Sequence, residues 1–150
     1  MRWLVLLGTV TLAHPALAQT FEFKGVSLGT IVPTAVIEQK LGVVCRKPEG
    51  DQACSGETTL LSLPAKVYLD ILNGAVARID ISFQPMLFVE TAKSLNEKYG
   101  RPFREKRGLI TWRNKRGDLV ILEQEGLLSY SSIEDQVKTN AAVHNMKKDF

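Results

Sequence analysis

The strongest constraint on the fold is the alternation of side chains between residues 66 and 83. Apolar residues occupy every second position on both sides of Asn73-Gly74, which is typical of a hairpin with one buried face. A two-residue type I′ turn at Asn73-Gly74 would pair Leu69 with Arg78 and would mix the two faces. A three-residue loop beginning one residue earlier pairs Leu69 with Ala77, so we expect this loop, with its glycine as a left-handed bulge residue.

Two helices are predicted to end at glycines. An apolar stripe follows Thr30, which can cap a helix whose first turn tolerates Pro33, and Gly42 ends this helix. A second helix begins at Pro85 and ends at Gly100, because its apolar residues recur at helical spacing.

The remaining segments predict further strands and a third helix. We expect strands at 20–27, 109–113, 118–124 and 127–132, a loop at 46–57, and a C-terminal helix at 133–150 that Ser131-x-x-Glu134 or Ser132-x-x-Asp135 can cap. The predicted class is therefore α+β, an antiparallel sheet of five to seven strands with helices on one face.

The two halves of the chain, about 28–83 and 84–132, share one plan. Each has a helix that ends at glycine and then a hairpin with glycine in its turn, so that 67–79 lies over 119–131. This pattern predicts a tandem αβββ repeat. Two unrelated α+β segments of similar size are the alternative.

The first 18 residues are typical of a cleavable secretory signal peptide. Arg2 precedes an apolar run, and Ala16-Leu17-Ala18 is the small-x-small pattern before a cleavage site. The run is shorter than the roughly 20 residues that span a bilayer. Gln19 rather than cysteine follows, so a lipoprotein attachment site is missing. We expect 1–18 to be removed and 19–150 to form one domain in the periplasm or outside the cell, without a stable membrane anchor.

Cys45 and Cys54 are the two cysteines of the chain. In an oxidising compartment an even pair predicts a disulfide, and the spacing is not that of a C-x-x-C redox motif. Free thiols and a redox-active pair are the alternatives.

Side chains suited to catalysis are scarce in 19–150. His144 lies near the end of the last helix, where a histidine is more often solvated than catalytic. Two bridged cysteines leave no set of zinc ligands, and nucleotide- and metal-binding motifs are absent from the sequence. Asp70 and Asp80 share one hairpin face, where cross-strand charge pairing is more common than glycoside hydrolysis. We expect no catalytic residue, no metal site and no cofactor.

Basic residues concentrate in one stretch of the second half. They are Arg101, Arg104, Lys106, Arg107, Arg113, Lys115 and Arg116, with Phe103 and Trp112 among them. This stretch is either a solvated linker and turn or a surface for an anionic partner. The net charge of +3 is too small to predict a nucleic-acid partner.

A sheet with helices on one face leaves its other face free. Tyr68, Arg78, Trp112 and Tyr130 are the candidates for this free face, and Arg113 adds a candidate binding residue beside Trp112. The ordinary alternative for Trp112 is a position in the core.

A resemblance to a known family rests on three features of the sequence. Two helices end at Leu41-Gly42 and Tyr99-Gly100, antiparallel strands follow each of them, and the chain has a short disulfide loop. The chain resembles the β-lactamase-inhibitor-protein-like and SmpA/OmlA (BamE)-like periplasmic domains. The opening at 23–29 is similar to that of many small exported bacterial proteins. The resemblance implies a fold that binds proteins or serves as an assembly scaffold. BamE-like members are typically lipoproteins, and no motif allows inhibitory residues to be carried over.

We therefore expect a non-catalytic, exported, inhibitor-like binding protein whose partner is another envelope or secreted protein. A scaffold or chaperone for envelope assembly and a small carboxylate-based hydrolase are the alternatives.

Overall fold

The computed structural model describes residues 19–47 and 51–148, with side chains up to 142, so the predicted signal peptide at 1–18 lies outside the described residues. A small hairpin is followed by three helices and eight further strands. In chain order these are β1 (Glu22–Phe23), β2 (Val26–Ser27), α1 (Thr34–Leu41), β3 (Val44–Arg46), β4 (Gln52–Leu60), β5 (Leu63–Leu72), β6 (Ala75–Ser82), α2 (Phe88–Tyr99, after a 3₁₀ turn at Pro85–Leu87), β7 (Arg104–Lys106), β8 (Leu109–Arg113), β9 (Leu119–Glu123), β10 (Leu127–Ser131) and α3 (Ile133–Lys148).

Strands β3 to β10 form one antiparallel sheet in the order β3-β4-β5-β6-β10-β9-β8-β7. The predicted α+β class with an antiparallel sheet is confirmed, although the sheet has eight strands rather than five to seven. Each half supplies one helix and then four strands, not three, and the halves meet where β6 pairs with β10. The common origin of the two halves stays a prediction.

Strands β3, β4 and β7 were not predicted, and β4 and β7 consist mostly of polar residues. The segment assigned to a loop at 46–57 contains most of β4, which pairs with β3 on one side and β5 on the other. Position 56, inside β4, requires a residue without a side chain, because a Cβ there would come 3.0 Å from the Cα of Val43. Glycine meets this requirement. The edge strand β7 consists of charged residues alone, a composition that commonly protects a sheet edge from pairing.

The turn of the central hairpin differs from the predicted three-residue loop. Asn73 and Gly74 both have positive φ, 51° and 80°, and they form a two-residue turn. The register then shifts between Asp70 and the next residue, so that Ala77 is an extra residue on β6. This bulge returns Leu69 to a position opposite Ile79, which keeps one face apolar. The expected pairing of Leu69 with Ala77 is therefore wrong.

The core lies between one face of the sheet and a layer formed by α1, α2 and the β1–β2 hairpin. The first two helices end at Gly42 and Gly100 as predicted, with φ of 69° and 81°. The predicted cap at Thr30 is wrong, because α1 begins at Thr34 with Pro33 at its N-cap. Helix and hairpin side chains in this core include Phe21, Leu28, Ile37, Leu41, Leu95 and Tyr99.

Helix α3 departs from the expectation that helices cover one face only. Its N-terminal residues Asp135, Gln136, Thr139 and Asn140 line a groove together with the sheet face that α1 and α2 leave uncovered. One half of the predicted capping box is present, since the backbone N–H of Asp135 donates to Ser132 Oγ at 3.2 Å. The other half is replaced, because the backbone N–H of Ser132 donates to the carbonyl of Ala77 at 2.8 Å. Of the described helices, none is long and apolar enough to cross a membrane.

The predicted disulfide is present between Cys45 and Cys54, with an S–S distance of 2.01 Å. The two residues are directly opposite each other on β3 and β4. The bridge therefore ties the edge strand β3 to its neighbour.

We expect the double substitution C45A/C54A to lower the free energy of unfolding by about 2.7 kcal/mol, because the unfolded chain loses a cross-link over a short loop. Urea denaturation with and without a reducing agent measures this. The reducing agent should destabilise the wild type and leave the double variant unchanged, and an equal response of both proteins would contradict the prediction.

Candidate interaction surface

The sheet face opposite α1 and α2, called here the open face, carries one continuous row of neighbours across four strands. Tyr68 on β5 is opposite Asp80 on β6, Asp80 is opposite Ser129 on β10, and Ser129 is opposite Ile121 on β9. Because residues directly opposite each other on paired strands project to the same face, all four point to the same side of the sheet. Tyr68 is 42% exposed, whereas Ser129 is buried at the floor of the groove beside α3.

Aliphatic side chains continue the open face in the second half of the chain. Leu119, Ile121 and Leu127 are partly exposed and line the groove of about 340 Å³ beside α3. With Tyr68 they form a surface that is apolar in several places although it faces solvent. Such a mixture of aromatic and aliphatic side chains is typical of an interface that a partner covers.

Charged groups between Tyr68 and the aliphatic side chains are paired with one another. The Tyr68 hydroxyl donates to Asp70 Oδ1 at 2.8 Å, and this hydrogen bond is the main reason that the pKa of Tyr68 is raised. Arg78 Nε lies 3.0 Å from Asp80 Oδ2. These contacts join side chains two residues apart, on β5 in the first case and on β6 in the second.

Asp135 brings a buried carboxyl to the border of this surface. Burial raises the pKa of Asp135, the nearby Asp70 and Asp80 add to the effect, and Arg78 and the Ser131 hydroxyl oppose it. The carboxylate form is therefore less favourable in the folded protein than in the unfolded chain.

A second buried carboxylate, Asp118, fixes where α3 begins. It is fully buried, accepts a hydrogen bond from the backbone N–H of Ile133 at 3.1 Å and another from Asn114 Nδ2 at 2.9 Å. Arg116 Nε lies 3.7 Å away. The N-terminus of α3 is thus attached to the turn between β8 and β9, and Gln136 adds a bond to the carbonyl of Gly117.

The prediction that Tyr68, Arg78, Trp112 and Tyr130 share the free face is wrong for two of the four. Tyr68 and Arg78 lie on the open face, as does exposed Arg113. Trp112 and Tyr130 are 1% and 3% exposed and lie in the core.

The reason for this correction is the register of β8 and β10. Trp112 and Tyr130 are each opposite Val120 on the intervening β9, so both point to its core side. Trp112 Nε1 donates to the carbonyl of Gly100, which ends α2, at 3.1 Å, and burial raises the pKa of Tyr130 well above its usual value. The core position named as the alternative for Trp112 is the observed one.

Sequence reasoning did not select Leu119, Ile121, Leu127 or Asp135. One signal was available, because β9 reads Leu-Val-Ile-Leu and is apolar at consecutive positions. Such a run indicates that both faces of a strand are at least partly covered. The contribution of α3 to the groove had no comparable signal, since its position beside the sheet depends on the contact of its first residue, Ile133, with the buried carboxylate of Asp118.

Among residues 19–47 and 51–148, no group of three or more His, Cys, Asp or Glu side chains is placed to hold a metal ion. No family model, no curated protein and no solved structure matches this chain.

We expect D118A to lower the free energy of unfolding by about 3 kcal/mol, because the Ile133 N–H and the Asn114 amide lose their acceptor and Arg116 loses its partner. Chemical denaturation measures the loss. The exposed substitution E125A is the control and should change stability by less than about 0.5 kcal/mol. Equal stability of the two variants would contradict this role of Asp118.

We expect D135N to raise the melting temperature at pH 7, because the native-state pKa of Asp135 is raised and the wild type must ionise a disfavoured carboxyl. The advantage should shrink as the pH falls towards the unfolded-state pKa near 3.8, where the wild-type group becomes protonated in both states. Thermal unfolding between about pH 3 and 8 measures this. A variant less stable than the wild type at pH 7 would mean that electrostatic attraction to Arg78 outweighs the cost of burial.

Proposed function

We propose that this protein is exported and that it binds another protein through the open face of its sheet, without catalysing a reaction. The observation that supports this most strongly is the exposed Tyr68 in one row with the partly exposed Ile121, on a face that the α1 and α2 layer does not cover. Large aromatic residues held in place are common energetic centres of protein interfaces.

The charges of the open face suggest the chemistry of the partner. Asp70, Asp80, Asp135 and Glu123 surround the row from Tyr68 to Ile121, and Lys66 and Arg78 are the basic residues among them. A partner that presents an apolar side chain flanked by basic groups would complement this surface.

Export is part of the proposal. The sequence of residues 1–18 has the features of a signal peptide, and the Cys45–Cys54 bridge is of a kind that persists in oxidising compartments. The periplasm or the extracellular space therefore supplies the partner, an envelope or secreted protein.

The hydrolase alternative has weaker support. A carboxylate pair would need one acid that stays protonated beside one that is ionised, within reach of a substrate. Asp135 has a raised pKa, but the charge of Arg78 and the Ser131 hydroxyl act against that shift and favour its ionised form. A second cleft of about 450 Å³ contains Asp51 and Glu134, both exposed, and Lys138 pairs with Asp51 there.

Photo-crosslinking tests the proposed interface. A benzoyl-phenylalanine in place of Tyr68 or Ile121 should give covalent adducts with one dominant protein in the envelope fraction, identified by mass spectrometry. The same residue in place of Val89, which is 69% exposed on α2 in the other layer, is the matched control and should give none.

We also expect I121R to weaken this complex at least about tenfold, because a buried cation at the interface centre would face basic groups of the partner. V89R is the control with the same change and should bind as the wild type does. Adducts from Val89 alone would contradict the interface. Many unrelated adducts would favour the assembly scaffold, and hydrolysis by the purified protein would favour the enzyme.

A further inference from the structure

The β7–β8 hairpin at the other edge of the sheet separates its charges by face. Arg104 is opposite Thr111 and Lys106 is opposite Leu109, so both basic side chains lie on the open face. Glu105, between them, is opposite Ile110, which belongs to the core side. Because side chains alternate along β7, Glu105 points to the face opposite the one that carries Arg104 and Lys106.

Apolar side chains are exposed beside these cations. Phe103 is 66% exposed, and the guanidinium of Arg113 lies 5.8 Å from the centre of its ring. Leu109 is 37% exposed on the same face as Lys106. Cations and exposed apolar groups are therefore interleaved at this edge, which is named here the basic hairpin surface: Phe103, Arg104, Lys106, Arg107, Leu109 and Arg113.

The charge of this region differs from that of the rest of the chain. Residues 101–117 contain seven of the 19 basic residues and one of the 16 acidic residues. Arg116 lies near Asp118 and Glu134, whereas no carboxylate of the described residues lies within ion-pair distance of Arg104, Lys106, Arg107 or Arg113. The remaining 133 residues carry 12 basic and 15 acidic side chains.

Protection of a sheet edge explains only part of this composition. Charged residues on an edge strand prevent pairing with another chain, and charges of either sign serve that purpose. Edge protection does not require one sign on one face, and it is not helped by an exposed phenylalanine and leucine. The combination is instead that of surfaces that lie on membranes, where cations attract anionic headgroups and apolar side chains enter the interface.

We propose that the basic hairpin surface docks onto a bilayer that contains anionic phospholipid. The attachment is reversible and peripheral, since Phe103 and Leu109 supply a small apolar area and the cations supply most of the attraction. This inference does not depend on the proposed protein partner, because that interface is centred on β5, β6, β10 and β9. The two surfaces together would hold a partner at a membrane.

Vesicle co-sedimentation with protein expressed from the full chain tests the proposal. We expect binding to phosphatidylcholine vesicles that contain about 30% phosphatidylglycerol, and at least about tenfold weaker binding to vesicles of phosphatidylcholine alone. Raising the salt from about 50 mM to about 500 mM should release the protein, because the attraction is screened.

The variant R104E/K106E should bind the anionic vesicles about thirtyfold more weakly. K47E/K93E, which changes the same total charge at two exposed lysines elsewhere, is the matched control and should bind nearly as the wild type does. F103A should weaken binding severalfold and should keep its dependence on anionic lipid. Circular dichroism confirms that each variant is folded.

Three results would overturn the proposal. They are equal binding of R104E/K106E and K47E/K93E, equal binding to neutral and anionic vesicles, and binding of poly-aspartate or duplex DNA as tight as that of the anionic vesicles. The last would identify general attraction to polyanions. A crosslinked partner at Tyr68 without vesicle binding would refute this inference alone, and vesicle binding without that partner would refute only the proposed function.

Discussion

The pairing of β6 with β10 is the interaction on which the rest of the structure depends. Five consecutive residue pairs, from Ser82 with Leu127 to Arg78 with Ser131, join two four-stranded halves into one sheet. On the core face of the sheet this pairing places Ile79 opposite Tyr130. On the open face it places Asp80 opposite Ser129. Without this pairing each half would have an unpaired central edge, and neither the shared core nor the open face would be continuous.

The open face carries different chemistry at its middle and at its second edge. Near β5 and β6 its charged groups are mainly acidic and are paired locally, as in the contact of Arg78 with Asp80. At β7 and β8 they are basic and lie next to exposed apolar groups such as Phe103. A protein partner at the middle and an anionic membrane at the edge are compatible, because the two surfaces are on different strands and have opposite charge.

Two local signals in the sequence were reliable because their physical cause lies within a few residues. Gly42 and Gly100 end helices because both have a positive φ that glycine adopts far more readily than other residues, and both ends were predicted correctly. The capping interaction of Ser132 with Asp135 likewise lies within one turn. In contrast, β4 was not predicted, because its polar residues form a strand only when β3 and β5 supply hydrogen bonds on both sides. The position of Ala77 was also wrong, since a bulge can correct an alternation that the turn alone would break.

The sequence by itself determined the α+β class, the C-terminal ends of the first two helices, the disulfide pair and the concentration of basic residues in 101–117. It could not determine which of the aromatic residues on β5, β8 and β10 faces solvent, because a shift of one residue in register turns every side chain of a strand to the opposite face. Tertiary structure decided this, with Tyr68 exposed and both Trp112 and Tyr130 in the core. It also decided that Asp118 fixes the start of α3 beside the open face, because that contact joins residues far apart in the chain.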